Sequence, residues 1–538
     1  MKLPQMKYTD GVRKIKQIKF GGLNHTTGAK DGELFMMRNL SSDHAPVLAT
    51  RAQRLKFGQI QEPGGLFSWE KLCWVDGTAF YYDGTEKGQV TAGQKSFASI
   101  GSWIVILPDK CCYNVDTGEF RNVESKWIGN KLEFRDGTLH GIATKANTIV
   151  HPNGRNWAEW FNAGDTVTIS GCTDIPVNNR SITIREIEGD LLHFYENSFS
   201  LGEEQSNYTE EGTLRIERCM PDIKYICENE NRLWGCSENR IFASKLGDPF
   251  NWETRDGVGT DGWDVDTGSA GPFTGCISYG GYPVFFKEDH IYKVYGSVPS
   301  NFEVMGNATL GLAKGCGRSL AVAGETLFYM STNGVMAYTG GIPQPIGEVF
   351  GLQRFQNAVA GSDGLKYYIS MESVDGWNLY VYDTQKGLWH REDELRVTHF
   401  VRHDGNLYML DTDGVIWIGG NPQNPPEDAE QEGPFQWMAE FSDFTEEEPN
   451  KKGIAKLQLR LELDAGASAQ VWMQFDGDGQ WQEVGSVIAE QGKRSDYLPI
   501  VPRRADHYRL KLTGTGGCRV YSLARESYIG SENRSRRN

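Results

Sequence analysis

The chain has 538 residues, with 55 Lys and Arg against 71 Asp and Glu, for a formal net charge of −16. An acid excess of that size disfavours a general nucleic-acid binder, whose affinity rests on Lys and Arg releasing counterions from phosphates, but it does not exclude a duct through which DNA slides. Single hydrophobic cores stop growing near roughly 250 to 300 residues, so several domains or a repeat fold are expected. With 63 Gly, 15 Trp, 22 Tyr and 25 Phe to supply turns and strands, the favoured class is all-β.

The first twenty residues carry Lys2, Lys7, Arg13, Lys14, Lys16 and Lys19 without an apolar stretch. No apolar run approaches the ~20 residues of a membrane helix, so a soluble, unsecreted chain is expected. Residues 1–65 read as an N-terminal arm with lead-in strands. Within them Gly22 to Lys30 has some of the texture of a phosphate loop. Its spacing is wrong, however, and no Ser or Thr follows Lys30 to hold Mg²⁺.

From there a unit recurs: short apolar strand, Gly/Asn/Asp turn, apolar run, turn, apolar run. It is found at 66–85, 95–120, 221–252, 273–296, 315–346, 357–392 and 397–420. Leu327-Phe328-Tyr329-Met330 followed by Gly334-Val335-Met336-Ala337-Tyr338 is one instance. Asn406 to Leu410, Asp413-Gly414 and Val415 to Ile418 is another. One such hairpin cannot bury both its faces, whereas radial stacking can. The pattern therefore predicts a β-propeller of about seven blades, six to eight being allowed, over 66–121 and 221–420.

Between the two stretches, 122–220 breaks the spacing and reads as an inserted small β-barrel or sandwich, with alternating strands over 164–171 and 181–194. Residues 421–433, proline-rich and acidic, read as a linker. Alternation at Ala455–Leu463, Ala469–Phe475 and Tyr508–Leu512 then predicts a C-terminal β-sandwich over 434–530, and 531–538 reads as a disordered tail.

Ten cysteines are too few for a disulfide scaffold, and most read as buried thiols. The vicinal Cys111-Cys112 pair is separated by the alternation of strand faces. His-Glu-x-x-His, paired Cys-x-x-Cys and Gly-x-Ser-x-Gly are absent from the sequence, so no catalytic residue, metal site or cofactor is assigned. Propellers can be glycosidases, which need two positioned carboxylates. The one acidic-aromatic group of that texture is Trp252, Asp261, Trp263, Asp264 and Asp266 in a Gly-rich loop with Asp248 and Asp256, and a solvated loop is the simpler reading. Asp476-Gly477-Asp478-Gly479-Gln480-Trp481 has the texture of a calcium loop or an aspartate box, but lacks the later Glu and the leading Ser, so a hairpin turn is expected. His399 and His403 stand too far apart along a strand for a metal pair.

Phe20-Gly21-Gly22-Leu23-Asn24, Asp31-Gly32-Glu33, Arg38-Asn39-Leu40 and Pro46 to Arg51 resemble the opening of the tail nozzle, or packaged-DNA stabilisation, proteins of short-tailed bacteriophages. Asn231 to Gly235, Ile241 to Pro249 and Asn251-Trp252 are similar to a blade signature of that family, and a looser likeness runs from Gly317 to Pro345. The C-terminal sandwich is not part of the minimal nozzle pattern. The resemblance implies a non-enzymatic virion protein, assembled in the host cytoplasm into a ring, expected to be hexameric, below portal and adaptor and beside tail fibres or spikes. DNA would pass through its lumen without specific binding. A distal tail or baseplate protein, a glycan-binding or glycan-cleaving propeller and an intracellular scaffold are the alternatives.

Overall fold

The computed structural model describes residues 12–139, 141–203, 205–446, 450–488, 494–501 and 503–529. The tail at 531–538 and the lysines at 2 and 7 lie outside the described residues. The chain is all-β, made of many small antiparallel sheets, and divides into two compact units, Glu62–Gly317 and a second made of Met1–Gln61 with Arg318–Asn538.

Glu62–Gly317 holds four four-stranded meanders. The first is Pro63–Trp69, Lys71–Asp76, Ala79–Tyr82 and Thr85–Gln89, and the second Ser96–Ile100, Trp103–Leu107, Cys111–Asn114 and Phe120–Asn122. The third is Tyr225–Asn229, Arg232–Ser237, Arg240–Ala243 and Trp263–Asp266, and the fourth Gly275–Tyr279, Tyr282–Phe286, His290–Tyr295 and Glu303–Ala308. Two-residue turns with both central residues at positive φ, Glu230-Asn231 (51° and 59°) and Gly280-Gly281 (61° and 81°), match the twist of the strands they join. The first strand of each sheet packs beside the first strand of the next. Both sheet faces are consequently covered: Cys111 enters the core shared with Val75, Phe80 and Tyr82, and Cys112 enters the core of Leu107, Leu233 and Trp252 on the other side. The expected separation of the two vicinal thiols is what the strand provides.

Between the second and third meanders lies one seven-stranded antiparallel sheet, ordered Ser181–Thr183, Thr166–Ser170, Asn207–Arg218, Ser125–Leu139, Ile142–Val150, Leu191–His193 and Glu186–Glu188. The stretch 181–194, read as alternating strand, forms three short strands, because Gly189 at φ 60° reverses the chain and Ile184 turns into the core. Trp157, Phe134, Phe161 and Ile149 fill that core. Glu210 is wholly buried beneath it, accepting hydrogen bonds from the backbone N–H groups of Thr173 (2.7 Å) and Asp174 (2.9 Å) and from the Tyr208 hydroxyl. Burial alone raises a carboxyl pKa, but these donors and the Ile175 N–H outweigh it and bring Glu210 down to about 2.

The other unit holds three further meanders. Two are Ala321–Ala323, Thr326–Ser331, Gly334–Tyr338, Gln344–Pro345 and Gln356–Ser362, Lys366–Ser373, Gly376–Asp383, Leu388–Arg391. The third is Val397–His403, Asn406–Asp411 and Val415–Gly419, and its fourth strand is Leu55–Gln59 from the start of the chain, with Glu430–Gln431 paired beyond it. Two larger sheets complete the unit. One orders Leu40–Ser41, Leu48–Thr50, Cys518–Ile529, Lys452–Leu463 and Arg494–Pro499, with Val12–Gln17 also on Cys518–Ile529. The other orders Leu34–Arg38, Gln436–Phe441, Tyr508–Thr515, Ser468–Phe475 and Gln482–Ile488. The described strands between residues 12 and 59, in the stretch expected to hold the arm and lead-in strands, are distributed among three sheets whose other strands come from 397–529. The linker expected at 421–433 is anchored at its far end, where Glu430–Gln431 pairs with Leu55 and Lys56.

Candidate functional site

The five residues singled out in the acidic-aromatic loop are not gathered into a binding face. Trp252 is 2% exposed, its indole N–H donates to the Pro249 carbonyl (3.0 Å), and it packs in the core of the second and third meanders. Trp263 packs edge-on against Trp234 and Phe302 in the core on the other side of the third meander. Stacking a sugar on Trp252 requires opening that core. Asp261 is 4% exposed, and one of its oxygens accepts from the N–H groups of Gly257 (2.7 Å) and Val258 (3.1 Å). Asp264 is held by Arg240 and Arg255, and Asp266 accepts from the Gly268 N–H (2.8 Å).

The loop is organised by Arg232, which the sequence placed in a blade-like stretch without giving it a role in the loop. Arg232, 2% exposed, donates to the carbonyls of Ser244 (2.8 Å), Asp261 (2.6 Å) and Gly259 (2.6 Å). A guanidinium presents several donors in a fixed fork, so one side chain satisfies carbonyls from across the loop. Asp476-Gly477-Asp478-Gly479 is the hairpin turn between Ser468–Phe475 and Gln482–Ile488, with Asp476 accepting from the Asp506 N–H (2.6 Å) and Asp478 from the Gln480 N–H (3.0 Å). Among the described residues no three His, Cys, Asp or Glu side chains converge as metal ligands.

A second constellation is built from the residues that carry the nozzle-like opening pattern. Gly22 lies so close to the chain at Trp389 that a Cβ would meet the Trp389 oxygen at 2.4 Å, and Leu23 N–H donates to that oxygen (2.7 Å). Asn39 takes φ 54°, donates to the Gln436 carbonyl (2.7 Å) and accepts from Arg51 Nε (2.7 Å). Arg51 then grips Glu432 with both terminal nitrogens (2.7 and 2.8 Å) and lies 4.3 Å over the Phe435 ring. Arg54 does the same to Asp393 (2.7 and 2.9 Å) and also donates to Glu392 (2.6 Å). Both guanidinium side chains are 4% exposed. Burial would raise the carboxyls of Asp393 and Glu432, but the two arginines outweigh it and hold both below the ordinary range.

Nearby, Ser42 Oγ donates to Asp383 (2.5 Å) while Ser42 N–H donates to His390 Nε2 (2.8 Å). Burial, with Lys366 adding to it, pushes the His390 pKa down to about 3. Its lone pair is spent on a backbone N–H and its neighbour hydroxyl is bonded elsewhere, so the trio does not form a nucleophile and base. A cavity of about 220 Å³ opens beside it, lined by Asp43, Lys366, Tyr368, Asn406, Asn421 and Gln423 among others. Lys366 is paired with Asp43, and the Asn406 amide is used by Gln423 N–H (3.0 Å) and the Asn424 carbonyl (3.0 Å). This constellation joins three remote stretches of chain, 20–54, 383–393 and 432–436. Glu392, Asp393 and Glu432 carried no signal in the sequence, whereas Asn39 and Arg51 did.

Fold and side-chain geometry thus define an all-β protein of small meander sheets whose polar clusters hold chain segments together. No family model and no curated protein matches the chain. Among solved structures it is similar to BamB from Moraxella catarrhalis, at 11% identity and a TM-score of 0.32, covering 70% of this chain and 99% of that one. The computationally designed Ika8 protein follows at 11% identity and a TM-score of 0.33, covering 69% and 100%. BBS1N, solved in complex with ARL6DN, stands at 10% and 0.32, covering 70% and 99%. Likenesses at these scores do not assign the chain to any of the three.

Proposed function

We propose that the chain is a structural, non-enzymatic virion protein of a phage tail: a nozzle ring that closes the DNA channel below portal and adaptor and retains packaged DNA until ejection. In this reading the seven small sheets, six of four strands and one of five, are the blades of one propeller, the seven-stranded sheet at 125–218 is an insertion, and the two larger sheets form a C-terminal sandwich. The observation that carries it is the use made of the nozzle-like residues. Asn39, Arg51 and the Gly22 turn are spent on a buried joint, a mechanical employment suited to a part that must hold shape under internal pressure.

The charge supports the same reading. An acidic wall repels phosphates and keeps a sliding duplex from sticking, so retention would come from ring closure and plug contacts instead of affinity. Two measurements test this together. The purified protein is expected to bind duplex DNA weakly across a salt series, and particles made without it are expected to lose their genome. Tight, steeply salt-dependent binding overturns the nozzle role. So do deletion particles that keep their DNA and differ only in host attachment, which would place the protein at the distal tail or baseplate.

A further inference from the structure

Cys227 and Cys276 stand on the first strands of two successive meanders, Tyr225–Asn229 and Gly275–Tyr279. The two strands pack side by side, but no ladder hydrogen bond joins their sheets. Both side chains lie against one core, with Trp234, Cys236, Phe285 and Tyr292. The three thiols are neighbours in that core, Cys276 standing next to both Cys227 and Cys236. Cys236 is fully buried, whereas Cys227 and Cys276 are only partly so, and a solute reaches the outer two through local opening of the core.

We propose that Cys227 and Cys276 form a disulfide when the protein meets a low-molecular-weight disulfide such as oxidised glutathione. One thiol loses its proton, and its sulfur attacks a glutathione sulfur. A mixed disulfide forms and one glutathione thiolate leaves. The second cysteine, deprotonated in turn, attacks the protein sulfur of that mixed bond and expels the other glutathione. Two protons and two electrons leave the protein, and one oxidised glutathione becomes two reduced ones. The product staples two sheets that are otherwise joined by side-chain packing and by side-chain hydrogen bonds such as Ser278 Oγ to Asn229 Oδ1 (2.7 Å). A protein made reduced inside a cell would gain this staple on passing to an oxidising medium.

The nearby Cys276 and burial push the Cys227 thiol well above its ordinary range, and burial does the same to Cys276. The reaction is therefore slow, gated by local opening, and faster in alkaline buffer. The test treats the full chain with oxidised glutathione, blocks remaining thiols and maps peptides by mass spectrometry. The expected result is the loss of two hydrogens per chain, a peptide pair joined through Cys227 and Cys276, and a rise in melting temperature that dithiothreitol reverses. Cys236→Ser keeps the bridge, while Cys227→Ser and Cys276→Ser each lose it. A chain that stays fully reduced after prolonged alkaline exposure overturns the assignment, as does a stable glutathione adduct at either position or a bridge mapped to Cys236. The mapping on the unmodified protein decides the matter even if a serine variant fails to fold.

Discussion

Replacing Glu210 by Gln keeps the shape of the side chain and removes the charge that three backbone N–H groups and the Tyr208 hydroxyl converge on. The folded pKa of about 2 lies some 2.5 units under the ordinary 4.5, which at 1.36 kcal/mol per unit is worth up to about 3 kcal/mol. Because the folded pKa is depressed, this stabilisation is complete above the unfolded value of 4.5 and is lost as pH falls through about 2. Glu210→Gln should therefore destabilise the seven-stranded sheet by about 2–3 kcal/mol at neutral pH, and by less than half of that near pH 3. Hydrogen exchange read by mass spectrometry on Thr166–Ser170 and Asn207–Arg218 localises the effect, a loss of that size appearing as exchange faster by roughly two orders of magnitude. Equal losses at both pH values, or none at neutral pH, would refute the electrostatic account.

Trp252→Ala should cost about 3–5 kcal/mol in the Glu62–Gly317 unit, measured by denaturant unfolding; unchanged stability with a loss of glycan-array binding would return Trp252 to a stacking role. Arg54→Met takes the fork from Asp393 and the bond from Glu392, leaves only Arg51 near them at 3.5 and 3.9 Å, and should cost up to about 3 kcal/mol. Arg54→Lys should recover only part of that, since an ammonium cannot grip Asp393 with two nitrogens, and full recovery would show the fork to be unimportant. Limited proteolysis should cut first between Asn424 and Ala429, ahead of the anchored Glu430–Gln431. The fragments should co-elute on size exclusion, because Leu34–Arg38 and Leu48–Thr50 pair with strands beyond the cut; fragments that separate would contradict those pairings.

Alternation and turn pairs made the local hairpins readable. Leu327–Tyr338 and Asn406–Ile418 form antiparallel ladders where the sequence placed them, and Asp404-Gly405, at φ 46° and 81°, is a two-residue turn of the expected kind. The same periodicity that separates Cys111 from Cys112 says which side of a strand a residue faces, but not which strand lies beside it. Hence Leu55–Gln59 fell within the stretch of lead-in strands expected over 1–65 and Val415 to Ile418 was read as a blade strand, but nothing in the sequence paired the two. At the sites the limit was similar. Trp252 and Trp263 look alike in sequence, and only the folding of the loop about Arg232 sends both rings into cores. Of the joint's arginines Arg51 was visible as part of a pattern and Arg54 was not, while their carboxylates lie hundreds of residues away and share no spacing with them.

The strand Leu55–Gln59 also sets a timetable for biosynthesis. It leaves the ribosome early, but the edge it completes, Val415–Gly419, is made after nearly all the other meander strands. For that whole interval a nascent chain carries an unpaired strand capable of joining the wrong sheet. Its own residues temper the hazard: Lys56 places a charge in the middle of the segment and Gly58 weakens its grip on any chance partner. Translation that halts before residue 415 leaves this strand without its native edge, so aborted products should be recognised by chaperones and proteases through the beginning of the chain as well as through the broken end.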